Sequence, residues 1–268
     1  MSIELPTEVT PPELESPRSL ILFGLPKCGK TTAVAQLPNN LIVDAERGSG
    51  FTAAKKILPP EDTKPVVLFR WMTEVAKTIR ENNRPYDFVT VDTVSYLDEM
   101  SEWVGTFNYM QTTQGKKFNR WTEHNAPKPE MAGQLIPWGH PEYESVHSIG
   151  EGYGYRHSRK AMTDLLDQYR NLGRICTIFV CHVADKYVVS KLLNTEVRSM
   201  DLALTGKVKA IYSRDVDAIG YVWNKDGKIH ISFKGDENRI GGMRGVEGLQ
   251  GYEGPLDWSL IFHLEDDK

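Results

Sequence analysis

The chain has 268 residues, 40% of them hydrophobic and 25% charged, which is enough for one substantial buried core. Its formal net charge of −4 argues against a general polyanion binder, and no apolar run reaches the ~18 residues of a membrane span. Cys28, Cys176 and Cys181 have neither disulfide nor zinc spacing, so a reducing, cytoplasmic setting without a membrane partner is expected.

Residues 1–17 are rich in proline and glutamate, carry no signal-peptide pattern, and read as a mobile arm; 18–268 reads as a single domain. Along that domain the short apolar runs "SLILFG", "LIVDA", "VVLF", "DFVTVD" and "ICTIFVCH" look like strands buried on both faces, as in a parallel sheet. Between them "TEVAKTIREN" and "RKAMTDLLDQYRNLG" space their apolar residues by three and four, as helices do. This alternation predicts an α/β fold, a doubly wound, mostly parallel central sheet with helices on both faces. Residues 107–155 fit no regular element and carry many aromatics, including Phe118, Trp121, Trp138, Tyr143, Tyr153 and Tyr155. In the segment 217–250, "DAIGYVW" and "KIHISFK" flank Asp226-Gly227 as a C-terminal β-hairpin extension, and a glycine-rich loop follows.

The stretch "GLPKCGKTT" completes G-x-x-x-x-G-K-[ST] between a strand and a helix. Gly24, Leu25, Pro26, Lys27, Cys28, Gly29, Lys30, Thr31 and Thr32 would wrap the phosphates of ATP with backbone N–H groups. Lys30 would reach the β and γ phosphates, and Thr31 would coordinate Mg²⁺. Asp92, ending the apolar strand in "YDFVTVD", is the better acid for the metal, with Asp44 in "LIVDA" its rival. Glu46 could activate water or pair on the surface with Arg47, and His182 could sense the γ-phosphate or be structural. Six basic residues between Lys186 and Arg214, against only Glu196 and Asp201, permit an anion-binding face on an acidic protein.

On the motifs "GLPKCGKTT", "LIVDAERG", "YDFVTVDTVSYL", "GYGYRHSRKAMTDLL", "TIFVCHVADK", "LTGKVKAIYSRDVDAIGYVW" and "ISFKGDENRIGGMRG", the chain resembles RecA-like P-loop ATPases. Within that class it is similar to phage-encoded RecA-like single-strand annealing proteins. The resemblance implies a DNA-stimulated ATPase in which Glu46 activates water, Asp92 completes the Mg²⁺ site, and His182 stands where RecA carries glutamine. It also implies two DNA-binding regions. One falls in the insertion, where Lys116, Lys117 and Arg120 lie beside Phe118 and Trp121. The other follows His182 and includes Lys186, Lys191, Arg198, Thr205, Gly206, Lys207 and Lys209, with the helix "KVKAIYS" offering its first N–H groups to a phosphate. Lys234 and Arg239 become candidates to complete a neighbour's ATP site in a homo-oligomer. The implied function is ATP-dependent strand annealing or exchange on single-stranded DNA in phage recombination, in the cytoplasm of a bacterial host, with a single-strand-binding protein as a further partner. A non-hydrolysing ATP switch or loader for a replication protein, and a P-loop small-molecule kinase, are the alternatives.

Overall fold

The computed structural model describes residues 15–189, 196–236, 238–246, 248–262 and 264, without the side chains of 185–189 and 196–198. Most of the acidic arm therefore lies outside the described residues, as do Lys191 and the side chains of Lys186 and Arg198.

The domain begins with β1 (Ser19–Gly24), α1 (Lys30–Ala35), β2 (Asn40–Asp44) and the short β3 (Lys55–Ile57). Next come α2 (Pro65–Glu81), β4 (Phe88–Asp92) and α3 (Val94–Met110), then the insertion, α4 (Tyr155–Tyr169) and β5 (Cys176–Val189). β6 (Glu196–Leu202), α5 (Gly206–Asp215), β7 (Ala218–Lys225) and β8 (Lys228–Ser232) precede β9 (Gly242–Met243), β10 (Glu253–Pro255) and α6 (Trp258–Phe262). The sheet order is β10-β8-β7-β1-β5-β4-β2-β3. It is parallel from β7 to β3 and antiparallel at the β8–β10 end.

Strand side chains alternate between two cores because each strand is covered on both faces. Ile21, Phe23, Val43, Val89, Val91, Phe179 and Cys181 pack with α2 to α5, whereas Leu20, Leu22, Ile42, Ile178 and Val180 pack with α1 and α6. Trp258 in α6 anchors the second layer, its indole N–H donating to the Ala33 carbonyl at 2.9 Å. No helix among the described residues is long and apolar enough to cross a membrane.

Two expectations change. The run "VVLF" is not a strand but the first turn of α2, with Pro65 at its start. Its apolar residues continue the helical spacing Leu68, Phe69, Met72, Val75, Ala76 and Ile79. His182 does not end its strand, because β5 runs on to Val189 and returns as β6, an antiparallel ribbon beyond the sheet. The insertion, which the sequence assigns to no regular element, is folded. Asn119 exchanges two hydrogen bonds with the Glu144 backbone, Val146 N–H donates to Thr106 Oγ1, and Trp121, Ile136 and Val146 are buried. Trp121 is only 3% exposed, so it packs the insertion and has no face on which to stack a base.

The insertion begins and ends where α3 meets α4, and the two helices pass closely at Gly105. A Cβ there would lie 2.5 Å from the Ser158 backbone nitrogen. Gly105→Ala should destabilise the fold by ~1–3 kcal/mol through overpacking, read as a lower urea midpoint; an unchanged midpoint would show that the two helices can part without cost.

Candidate nucleotide site

Parallel register gathers the chemistry at one edge. Gly24 at the end of β1 sits beside His182, and Asp92 at the end of β4 sits between Asp44 and Val180. The loop after β1 is tight on the β7 side: a Cβ on Gly24 would come within 2.3 Å of the Val222 carbonyl oxygen. Gly29 has φ +100°, a left-handed backbone that glycine adopts freely. These constraints give "GLPKCGKTT" the shape of a backbone cradle.

Lys30 is buried, its ammonium donating to the Gly24 and Leu25 carbonyls at 2.9 and 2.8 Å, with Cys28 Sγ at 3.9 Å. Thr31 Oγ1 donates to Asp92 Oδ2 at 2.7 Å. Burial pushes the Asp92 carboxyl up to about 6; the Thr31 hydrogen bond opposes the rise and the Asp44 charge adds to it. The rival acid is otherwise engaged. Asp44 accepts from Gly48 N–H at 3.1 Å and from the N–H and hydroxyl of Ser49 at 2.8 and 2.6 Å, so it folds the loop after β2.

Glu46 stands on that loop and is half exposed. Its Oε2 accepts from Thr93 Oγ1 at 2.9 Å and faces His182 Nε2 at 3.6 Å. The His182 contact, ahead of the Thr93 hydroxyl, holds Glu46 below the usual carboxylate range against its partial burial. Thr93 follows a cis Asp92–Thr93 peptide and also caps α3, accepting from Tyr96 N–H at 3.3 Å. The next hydroxyl, Ser95, accepts from the His182 backbone N–H at 2.9 Å. Sequence reading missed Thr93 and Ser95; the cue was a threonine before an apolar helical run, an N-cap pattern. Arg47 turns from Glu46 to Glu61, 3.1 Å away.

The residues present fit a nucleotide with its metal. A buried ammonium whose partners are neutral carbonyls and a thiol can take an anionic phosphate, while a buried carboxylate and a threonine hydroxyl together suit Mg²⁺.

Residues 16–128 match the family model described as an AAA domain, a span that contains the P-loop, Glu46, Asp92 and α3. The matched span indicates similarity to an AAA/P-loop NTPase-like family. The match points to an ATPase-type function for this AAA-like domain, and the mixed α/β sheet is consistent with it. No curated protein matches the chain.

The other expected residues are less unified. Lys116, Lys117, Lys207 and Thr205 are exposed, but Thr205 N–H and Oγ1 already donate to the buried Asp98 carboxylate at 2.6 and 3.1 Å. The N-cap Thr205 is thus engaged with a carboxylate, and Lys209 is paired with Asp201. Arg120 donates to the Lys116 and Gly133 carbonyls at 2.8 and 2.7 Å, bracing the insertion. Arg239 is bonded to Ser232 and Glu253 at 3.1 and 2.8 Å and lies over the Tyr221 ring, so within one protomer it braces the hairpin. Lys234 is exposed beyond Ser232, on a course that leads away from Gly24.

Cys28 reports on the cradle. Burial raises its thiol pKa, with the Lys30 charge opposing the rise, so alkylation should be slow at neutral pH and still increase above pH 9. Mg²⁺–ATP should slow it further. Equal iodoacetamide rates with and without nucleotide would place the thiol outside the phosphate cradle.

Proposed function

We propose that this protein hydrolyses ATP with Mg²⁺ to control its hold on single-stranded DNA, promoting strand annealing or exchange in phage recombination as a homo-oligomer with ATP at subunit interfaces. One observation carries the reading. The carboxylate suited to activating water, Glu46, touches His182, and His182 lies on the strand that continues into the β5–β6 ribbon.

In this reading the P-loop backbone and Lys30 hold the phosphates, and Thr31 with Asp92 holds Mg²⁺, which would neutralise charge on the phosphate oxygens. The two oxygens of Glu46 have different surroundings. Oε2 faces Thr93 and His182, while Oε1 has no partner among the described residues and can accept a proton from water. His182 connects the same site to the ribbon in two ways. Its backbone N–H donates to Ser95, and its carbonyl accepts from Ala203 N–H at 3.0 Å, at the end of β6. A change at Glu46 therefore bears on both ends of the ribbon. Basic residues there and in the insertion supply sequence-independent attraction to phosphate.

Glu46→Gln should retain ATP binding and lower turnover by ~10²–10⁴-fold. Turnover at the wild-type rate would exclude Glu46 as base, and no turnover in either protein with saturating DNA would favour a switch that does not hydrolyse. Thr93→Val should cut kcat about tenfold with little change in KM, and Thr93→Ser should restore it. Lys116→Ala with Lys117→Ala should flatten the salt dependence of DNA binding by about 1.4 in log–log slope, at ~0.7 per phosphate contact; an unchanged slope would move the phosphate contacts elsewhere.

A further inference from the structure

Between the start of α2, the end of α3 and the insertion lies a cavity of about 340 Å³ that takes no part in the nucleotide site. Trp103, Phe107, Phe118, Trp138 and Tyr143 form much of its wall. Trp138 meets Trp103 edge-on at 4.6 Å between ring centroids and meets Tyr143 edge-on at 5.6 Å, so the aromatic wall is braced by its own members. It is nevertheless open: Trp138 is 42% exposed, and Val67 and Leu135 on the same rim are each 49% exposed. A cluster of large apolar side chains left in water is a surface that gains from being covered.

The charges decide what covers it. Lys64, Lys116 and Arg120 line the cavity and no carboxylate does. Neither lysine has an ion pair among the described residues, and Arg120 keeps its charge while its guanidinium is fixed by two backbone carbonyls. Aromatic walls with a cationic, acid-free rim match a ligand that alternates flat rings with anions. Gln111 adds an amide to the wall, able to donate and accept along a ring edge.

We propose that this cavity receives a nucleobase of single-stranded DNA, with the flanking phosphates on Lys64 and Lys116. The inference rests on the DNA-binding reading above and adds to it a site of stacking rather than of charge. Phosphate contacts alone hold any polyanion, whereas a ring-lined cavity distinguishes a strand with bases from one without.

The test is anisotropy of a labelled oligo(dT) and of the same oligomer with abasic sugars in place of its thymidines, in ATP and Mg²⁺ at low salt. Wild-type protein should bind the abasic oligomer about 5- to 150-fold more weakly, the equivalent of ~1–3 kcal/mol for a stacked base. Trp138→Ala, at an exposed position, should lower oligo(dT) affinity toward the abasic level with unchanged ATP binding, and Trp138→Phe should recover part of the difference. Equal affinity of wild-type protein for both oligomers would overturn the base site while leaving DNA binding intact, as would full discrimination in Trp138→Ala. Binding of neither oligomer would overturn the DNA reading and the base site together.

Discussion

Lys30 and Asp92 are opposite charges buried at one edge of a parallel sheet, and among the described residues they form no ion pair with each other; each is held by neutral groups instead. Desolvation of such groups is expensive unless hydrogen bonds or an opposite charge offset it. For Lys30 the loop carbonyls do this, and for Asp92 the Thr31 hydroxyl does, incompletely, since its carboxyl remains raised to about 6. The sheet can hold this edge because its strands are apolar on both faces and locked in register, so the cost at the edge is met by two cores below it. A phosphate and a divalent cation would meet both charges at once, which is why the same edge that strains the fold is where binding is favourable.

Much of this was legible in the residues. A strand, a glycine loop and Lys30-Thr31 have few readings other than a phosphate cradle, and Asp226-Gly227 takes the φ values of +53° and +77° that a tight hairpin needs. "VVLF" was misread because four apolar residues fit a buried strand and a helical turn equally, and only the continuation through Met72 and Val75 separates them. The course of β5 past His182 was hidden for another reason. Once a strand leaves the core it no longer carries an apolar run, so "VADKYVV" looks like the start of a loop. Least legible was the pairing of Asp98 with Thr205, which are 107 positions apart and meet only because α3 and α5 both start at the same edge.

Those through-space pairs make α3 the central part of the site. Within one turn of Asp92 it presents Thr93 to Glu46 and Ser95 to the His182 backbone, and one turn later Asp98 to α5. A helix with three such attachments moves as one body more readily than its contacts break separately. Glu46, the base of the β5–β6 ribbon and the start of α5 are therefore all attached to one helix.

The Asp98–Thr205 contact also changes where an anionic strand can lie. The first N–H groups of a helix attract phosphate because they lack partners, but here a carboxylate already satisfies Thr205, and burial raises the Asp98 carboxyl without removing it from the contact. A phosphate displacing it would gain hydrogen bonds like those it broke and leave a carboxylate buried, for little net benefit. Lys209 is likewise committed to Asp201. Among the described residues, Lys207 at the start of α5 and Lys116 and Lys117 in the insertion are exposed cations without a carboxylate partner. In the proposed DNA-binding reading, electrostatics favours a strand path by the aromatic insertion over one at Thr205, with Asp98 joining α3 to the start of α5.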